Sequence, residues 1–219
     1  MDTGTGARVL PDGSADVVWD DGAEFFVAGP DTGPVVRDLR PGSTVVGIRF
    51  RPGVAGVGLG LPASELRDMH VTLEDVWGER GKELAEALDG AAGATRRRRL
   101  LEEAVLRRLP EIDPPDPLVL GAIRRLGKPA SRVGALSDSL FVSERHLRRI
   151  FREAVGYGPK TLDRVLRFRR FVSLGPAIVR GEEQLAGVAA QLGYADQAHL
   201  SREIASLSGL SPRRLVETW

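Results

Sequence analysis

Four arginines, Arg145, Arg148, Arg149 and Arg152, recur at i, i+3, i+4 and i+7, the spacing that gathers them on one stripe of a helix. A guanidinium is a planar fork of five donors that pairs two at a time with a phosphate, or with O6 and N7 of guanine. Four such groups side by side repel one another and favour a polyanion. The alternative is a solvated face, paired with Glu144 and Glu153 along the same helix. Leu147, Ile150, Phe151, Ala154 and Val155 fall on the other side and form an apolar stripe that must be buried. The chemistry on offer is recognition, not reaction.

This block occurs twice. At an offset of 53, Ser143 falls on Asp196, His146 and Leu147 on His199 and Leu200, Arg149 on Arg202, Gly156 on Gly209, Pro159 on Pro212 and Leu162 on Leu215. Ser143 and Asp196 are good N-caps, able to accept from the first free helix amides. Gly156 and Gly209 suit the left-handed position past a helix end, and the prolines three residues on can open the next helix. Short apolar segments precede each cap, so each copy reads as a helix-turn-helix, at about 131–156 and 184–209. In the second copy Leu200, Ile204 and Leu207 face inward. Gln197, Ala198, Ser201 and Arg202 are left outward, offering an amide for adenine and a methyl contact for thymine. The recognition helices are expected at about 143–155 and 197–207. Between them residues 159–174 read as one helix of roughly 24 Å, adequate to hold the two in successive major-groove faces about 34 Å apart. Arg167, Arg169 and Arg170 on that helix could steady a phosphate backbone or pin the two units together.

The rest of the chain must position these elements. The 219 residues contain no cysteine, which removes disulfides, thiolate metal sites and thiol nucleophiles. Residues 1–90 hold 8 Lys/Arg and 16 Asp/Glu, a net −8; residues 91–219 hold 23 and 14, a net +9. That asymmetry suits an acidic sensing or assembly half joined to one that meets a polyanion. No apolar run approaches 18 residues and the N-terminus lacks a signal-peptide pattern, so no membrane partner and a cytoplasmic location are expected. From Arg8 to Arg51 a period near two, cut by turns such as Pro11–Gly13 and Asp20–Gly22, predicts about five short strands. These are too few for a closed eight-stranded barrel. Short helices are expected near 62–67, 71–77 and 81–88, with a weak one in the glycine-rich 53–60. A clear amphipathic helix follows at 94–109, carrying Leu101, Ala104, Val105 and Leu109. Its apolar stripe belongs either on its own sheet or against a second copy in a homodimer. The run Arg96–Arg99 reads as a solvated face. Four prolines in 110–117 form a semi-rigid spacer, dividing 1–109 from 118–219.

Residues 117–219 resemble the DNA-binding region of the AraC/XylS family of transcription regulators. The resemblance is carried by Leu185–Ile204 and Gly209–Pro212, and by Ser143, His146, Leu147, Arg149, Phe151 and Gly156. Ile204 stands where the family usually has Phe, and Phe171 where its linker helix usually has a small residue. Through Leu10–Gly13, Asp16–Trp19, Ala28–Thr32 and Gly47–Gly53, the N-terminal half resembles, more weakly, a β-rich domain found ahead of such regions. The expected fold is therefore α+β: a small, partly cupin-like β-sheet domain with helices, then an all-α domain of two tandem helix-turn-helix motifs joined by a linker helix. The resemblance implies sequence-specific binding to double-stranded DNA and RNA polymerase as a further partner. A small-molecule effector at the N-terminal domain and a homodimer are also expected. Base-reading candidates are Arg145, Arg148 and Arg149, with Gln197, Ala198, Ser201 and Arg202; Arg152 is placed nearer the backbone.

An enzyme is the rival class. His146 and His199 are repeat-equivalent and suit packing or phosphate contact; with His70 they supply no converging ligand set. Asp12, Asp16, Asp20 and Asp21 flank turns and strands. A relative that couples this DNA-binding unit to methyl transfer onto cysteine is closed off by the missing thiol. No catalytic residue, metal or cofactor is expected. An architectural protein indifferent to sequence would spread its basic charge broadly, whereas here it gathers on one helix.

Overall fold

The computed structural model describes residues 5–21, 25–128 and 133–218. The described residues of the N-terminal half form six strands: β1 (Thr5–Val9), β2 (Ala15–Asp20), β3 (Phe25–Ala28), β4 (Val35–Leu39), β5 (Val45–Phe50) and β6 (His70–Thr72). β2 is central in a four-stranded sheet of order β5-β2-β3-β6, and β1 pairs with β4 in a second sheet of two. Every pairing is antiparallel. Alternation explains the arrangement. Ala15, Val17 and Trp19 of β2 point into the core while Asp16, Val18 and Asp20 lie half-exposed between them. The β2–β3 turn was expected at Asp20–Gly22, and Gly22 lies outside the described residues; the pairing of Trp19 with Phe25 sets the hairpin register.

Helices cover this sheet: α1 (Ala55–Leu59), a single 3-10 turn (Ala63–Glu65), α2 (Leu73–Trp77), α3 (Glu79–Asp89) and α4 (Gly93–Arg108). Thr72 and Asp75 form a reciprocal capping box at the start of α2. The stripe on α4 packs on its own sheet, with Leu101 buried and Ala104 and Val105 against the core of Val17, Trp19, Phe50 and Leu88. Leu106 and Leu109 remain exposed. Within the basic run, Arg97 is a packing residue and not simply solvated: its guanidinium lies 4.1 Å from the Trp19 ring centroid, and its Nε donates to the Leu88 carbonyl at 3.1 Å. The five strands expected between Arg8 and Arg51 are β1–β5, and two other expectations need correction. The helix expected near 62–67 is one 3-10 turn, because Pro62 and positive-φ Asp68 bracket it. The stretch expected as a helix at 71–77 begins in strand β6, and the helix starts only at Leu73, where Thr72 caps it.

A 3-10 turn (Leu109–Glu111) and the proline-rich segment lead to α5 (Pro117–Leu126), whose cap Asp116 accepts from the Leu118 amide at 2.7 Å. The two units follow. The first is a 3-10 turn (Val133–Ala135), α6 (Leu136–Ser139) and α7 (Glu144–Val155); its expected start at 131–132 lies outside the described residues. After α8 (Pro159–Val179), the second is α9 (Leu185–Gln191) and α10 (Gln197–Ser208), closed by α11 (Pro212–Val216). α8 runs five residues past the expected 174, through Pro176, and its 21 residues span roughly 31 Å. Phe151, Leu162, Phe168, Phe171, Leu200 and Ile204 are fully buried in one core shared by both units. The substitutions at Phe171 and Ile204 are thus packing exchanges.

The spacer joins two halves that touch. Leu10 packs on the helical core, and Arg8 of β1 donates to the Ser208 carbonyl at 3.0 Å. The β3–β4 loop carries two prolines, of which Pro30 packs at Gly156 and Pro34 at Gly209. One loop of the sheet domain therefore meets the repeat-equivalent ends of both α7 and α10.

Candidate nucleic-acid interface

Local chemistry starts and stops α7 and α10 alike. Ser143 accepts from the His146 amide at 3.2 Å and Asp196 from the His199 amide at 2.6 Å. Gly156 and Gly209 end the helices at φ 93° and 72°, and Pro159 and Pro212 open the next ones. Each recognition helix is 12 residues long.

On α7 the two faces fall as the spacing requires. Leu147, Ile150, Phe151, Ala154 and Val155 are buried, and Arg145, Arg148, Arg149 and Arg152 are all exposed. The solvated-face alternative is present in part. Arg148 pairs with Glu144 and Arg149 with Glu153, both at 2.9 Å and one helical turn apart. Exposed i,i+4 pairs of this kind contribute about 0.3–0.5 kcal/mol each, so a phosphate or guanine can displace them. Arg149 also reaches His146 Nδ1 at 3.4 Å. An open groove of about 1000 Å³ runs along this face, floored by the arginines and walled by Pro62, Ser64 and Glu65. The sheet domain thus borders the first recognition helix. Nothing in the periodicity signalled that, because the contact joins segments some 80 residues apart.

α10 is less basic. Leu200, Ile204 and Leu207 are buried; Gln197, Ala198 and Arg202 are exposed and Ser201 is half-exposed. Ser201 donates to the Gln197 carbonyl at 2.8 Å. His199 is held by its surroundings: its ring meets Tyr194 edge-on at 5.4 Å, and its Nδ1 accepts from the Ala195 amide at 3.3 Å. Burial pushes the Tyr194 hydroxyl up to about 12.

α8 fixes both units. Arg164 pairs with Glu203 of α10 at 2.6 Å, a cross-link that the sequence does not flag. Arg167 pairs with Asp163 at 3.2 Å and sits over the Tyr194 ring at 4.9 Å, so it pins the second unit. Arg170 donates to the Leu126 carbonyl at 2.8 Å and ties down the end of α5. Of the three linker arginines weighed for the DNA backbone, Arg169 is exposed and Arg167 and Arg170 are half-buried.

Among the described residues no group of three His, Asp or Glu could hold a metal, and no helix is long and apolar enough to cross a membrane. Asp12 and Asp16 both pair with Arg49, at 2.8 and 2.9 Å. His70 packs edge-on against Phe26, and burial lowers its pKa.

Residues 136–218 match the model of a helix-turn-helix domain, and residues 2–72 that of a domain of unknown function, DUF6597. No curated protein gives a match. Among solved structures the chain is similar to ToxT from Vibrio cholerae. A 1.65 Å structure of it is 12% identical, with 97% of each chain covered and a TM-score of 0.46. ToxT from Vibrio cholerae O395 is also 12% identical, covering 96% of this chain and 87% of that one, at 0.45. Residues 136–218 are an AraC-type helix-turn-helix domain, a DNA-binding unit of transcription regulators.

Proposed function

We propose that this chain, with its AraC-type helix-turn-helix domain, is a sequence-specific transcription regulator. It inserts α7 and α10 into successive major-groove segments of duplex DNA. The observation that carries the reading is the repeat itself. Two capped 12-residue helices share one core with α8, and each presents an outward polar face, one of them a row of four guanidinium groups. Arg145, Arg148 and Arg149 read bases in one segment and Gln197, Ala198, Ser201 and Arg202 in the next, while Arg152 meets the backbone. Selection of genomic fragments on the purified chain tests this: a recurrent asymmetric motif is expected. Uniform recovery of all fragments would leave an architectural protein in its place.

The N-terminal half supplies assembly and sensing. Leu106, exposed on α4, and Leu109, exposed in the 3-10 turn that follows it, offer an apolar homodimer contact. The cleft between α3 and α4, about 500 Å³ and lined by Trp77, Leu84, Leu100, Ala104 and Arg108, is the effector seat. RNA polymerase is the downstream partner of a regulator of this type.

A further inference from the structure

We infer that Phe141, in the turn of the first helix-turn-helix unit, lays its ring on DNA at the rim of the groove entered by α7. The inference rests on the DNA-binding reading above. Phe141 is 96% exposed and has a φ of 56°. By itself an exposed apolar side chain is ordinary. Here it sits on a backbone that suits glycine, because in the left-handed region a Cβ crowds the following carbonyl.

The second unit shows what the turn asks for. Phe141 donates to Asp138 O at 3.1 Å and Val142 to Ser137 O at 3.1 Å; Gly193 donates to Ala190 O at 3.1 Å and Tyr194 to Ala189 O at 2.9 Å. The two turns close with the same bonds, and Phe141 occupies the position of Gly193, whose φ is 74°. The residue-by-residue offset of 53 hides this match, because the second unit has one more residue between turn and cap. One unit thus has the relaxed residue, and the other has a strained residue whose ring gains no burial. A side chain that is unfavourable on both counts in the free protein gains its stabilisation in a complex.

DNA is the occupant that the surroundings fit. Phe141 lies two residues before the cap of α7, at the helix end that leads into the groove. The exposed residues that follow on α7 include Arg145, Arg148, Arg149 and Arg152, a row complementary to phosphate. A phenyl ring there can cover a thymine methyl or a deoxyribose face. It displaces no counterion, so it adds affinity without steepening the salt dependence.

The test uses the full chain, the fragments recovered by selection, and the variants F141G, F141A and F141Y. F141G and F141A should each lose about tenfold in affinity, while F141Y stays near wild type and all keep the same slope of log K against log salt. F141G should melt at or above the wild-type temperature, because the turn receives its glycine. Unchanged DNA affinity in F141G and F141A overturns the inference. So does a lower melting temperature in F141G, which would assign the ring to the fold, or loss of polymerase association alone, which would assign it to a protein contact. Failure of the wild-type chain to bind any fragment is a different result, and it removes the function reading itself.

Discussion

Pro30 packs so closely on Gly156 that a Cβ at this position would lie 2.5 Å from the proline ring and 3.0 Å from the Ala63 carbonyl oxygen. The sheet domain thus presses on the residue that ends the first recognition helix. Gly156→Ala meets both this contact and a φ of 93°, and should destabilise by about 2 kcal/mol or more in urea denaturation. Gly134→Ala, with open space around it, should stay within about 0.5 kcal/mol of wild type. Equal losses for the two would mean that the loop does not bear on the helix end.

The ion pairs on α7 make a prediction of opposite sign to the usual alanine scan. Glu153→Gln frees Arg149 and removes a charge that repels phosphate, so DNA affinity should rise about fivefold at low salt. Arg149→Ala should cost about 1–3 kcal/mol at the selected site and less on random DNA, whereas Arg152→Ala should weaken both alike. A filter-binding series on the two DNAs would separate these. Weaker binding by the Glu153 variant would show that the pair holds Arg149 in its working position.

Burial, with Asp68 close by, raises the Asp31 carboxyl from 3.8 to about 6. The folded state therefore prefers the protonated acid. Its contribution is full below pH 4 and is lost as pH rises through 6. Asp31→Asn should then stabilise the chain by about 1–3 kcal/mol at pH 7.5, and the gain should shrink to nothing by pH 4. Thermal melts of both proteins across that range test it. A gain that is absent at pH 7.5, or that persists unchanged at pH 4, contradicts the assignment.

Exposed Leu106 and Leu109 give the assembly reading its test. Light scattering at tens of micromolar should show a dimer for the full chain and a monomer for Leu106→Asp. A monomeric wild-type chain would leave sensing as the role of the N-terminal half. Trp77 emission would then be the probe of the α3–α4 cleft.

The helical half was legible because its signals are local. Ser143 and Asp196 are caps, Gly156 and Gly209 stops, and the spacing of Leu147, Ile150 and Phe151 fixes the buried face. β5 was readable by alternation, and α4 by its stripe. What escaped depends on contacts distant in sequence. The pairing of Arg164 with Glu203, the bond from Arg8 to the Ser208 carbonyl and the wall formed by Pro62–Glu65 leave no periodic trace. The extension of α8 through Pro176 escaped because proline ordinarily reads as a boundary. The strain at Phe141 escaped because φ is set by a turn, not by the residue within it.

In the proposed function, two different recognition helices on one chain read two successive major-groove segments. Hydroxyl-radical footprinting of the full chain on its selected site measures this directly. One asymmetric protected stretch of nearly two helical turns is expected, shortened at one end by Arg149→Ala and at the other by Arg202→Ala. Protection confined to a single half-turn, or erosion of the same end by both variants, would contradict it.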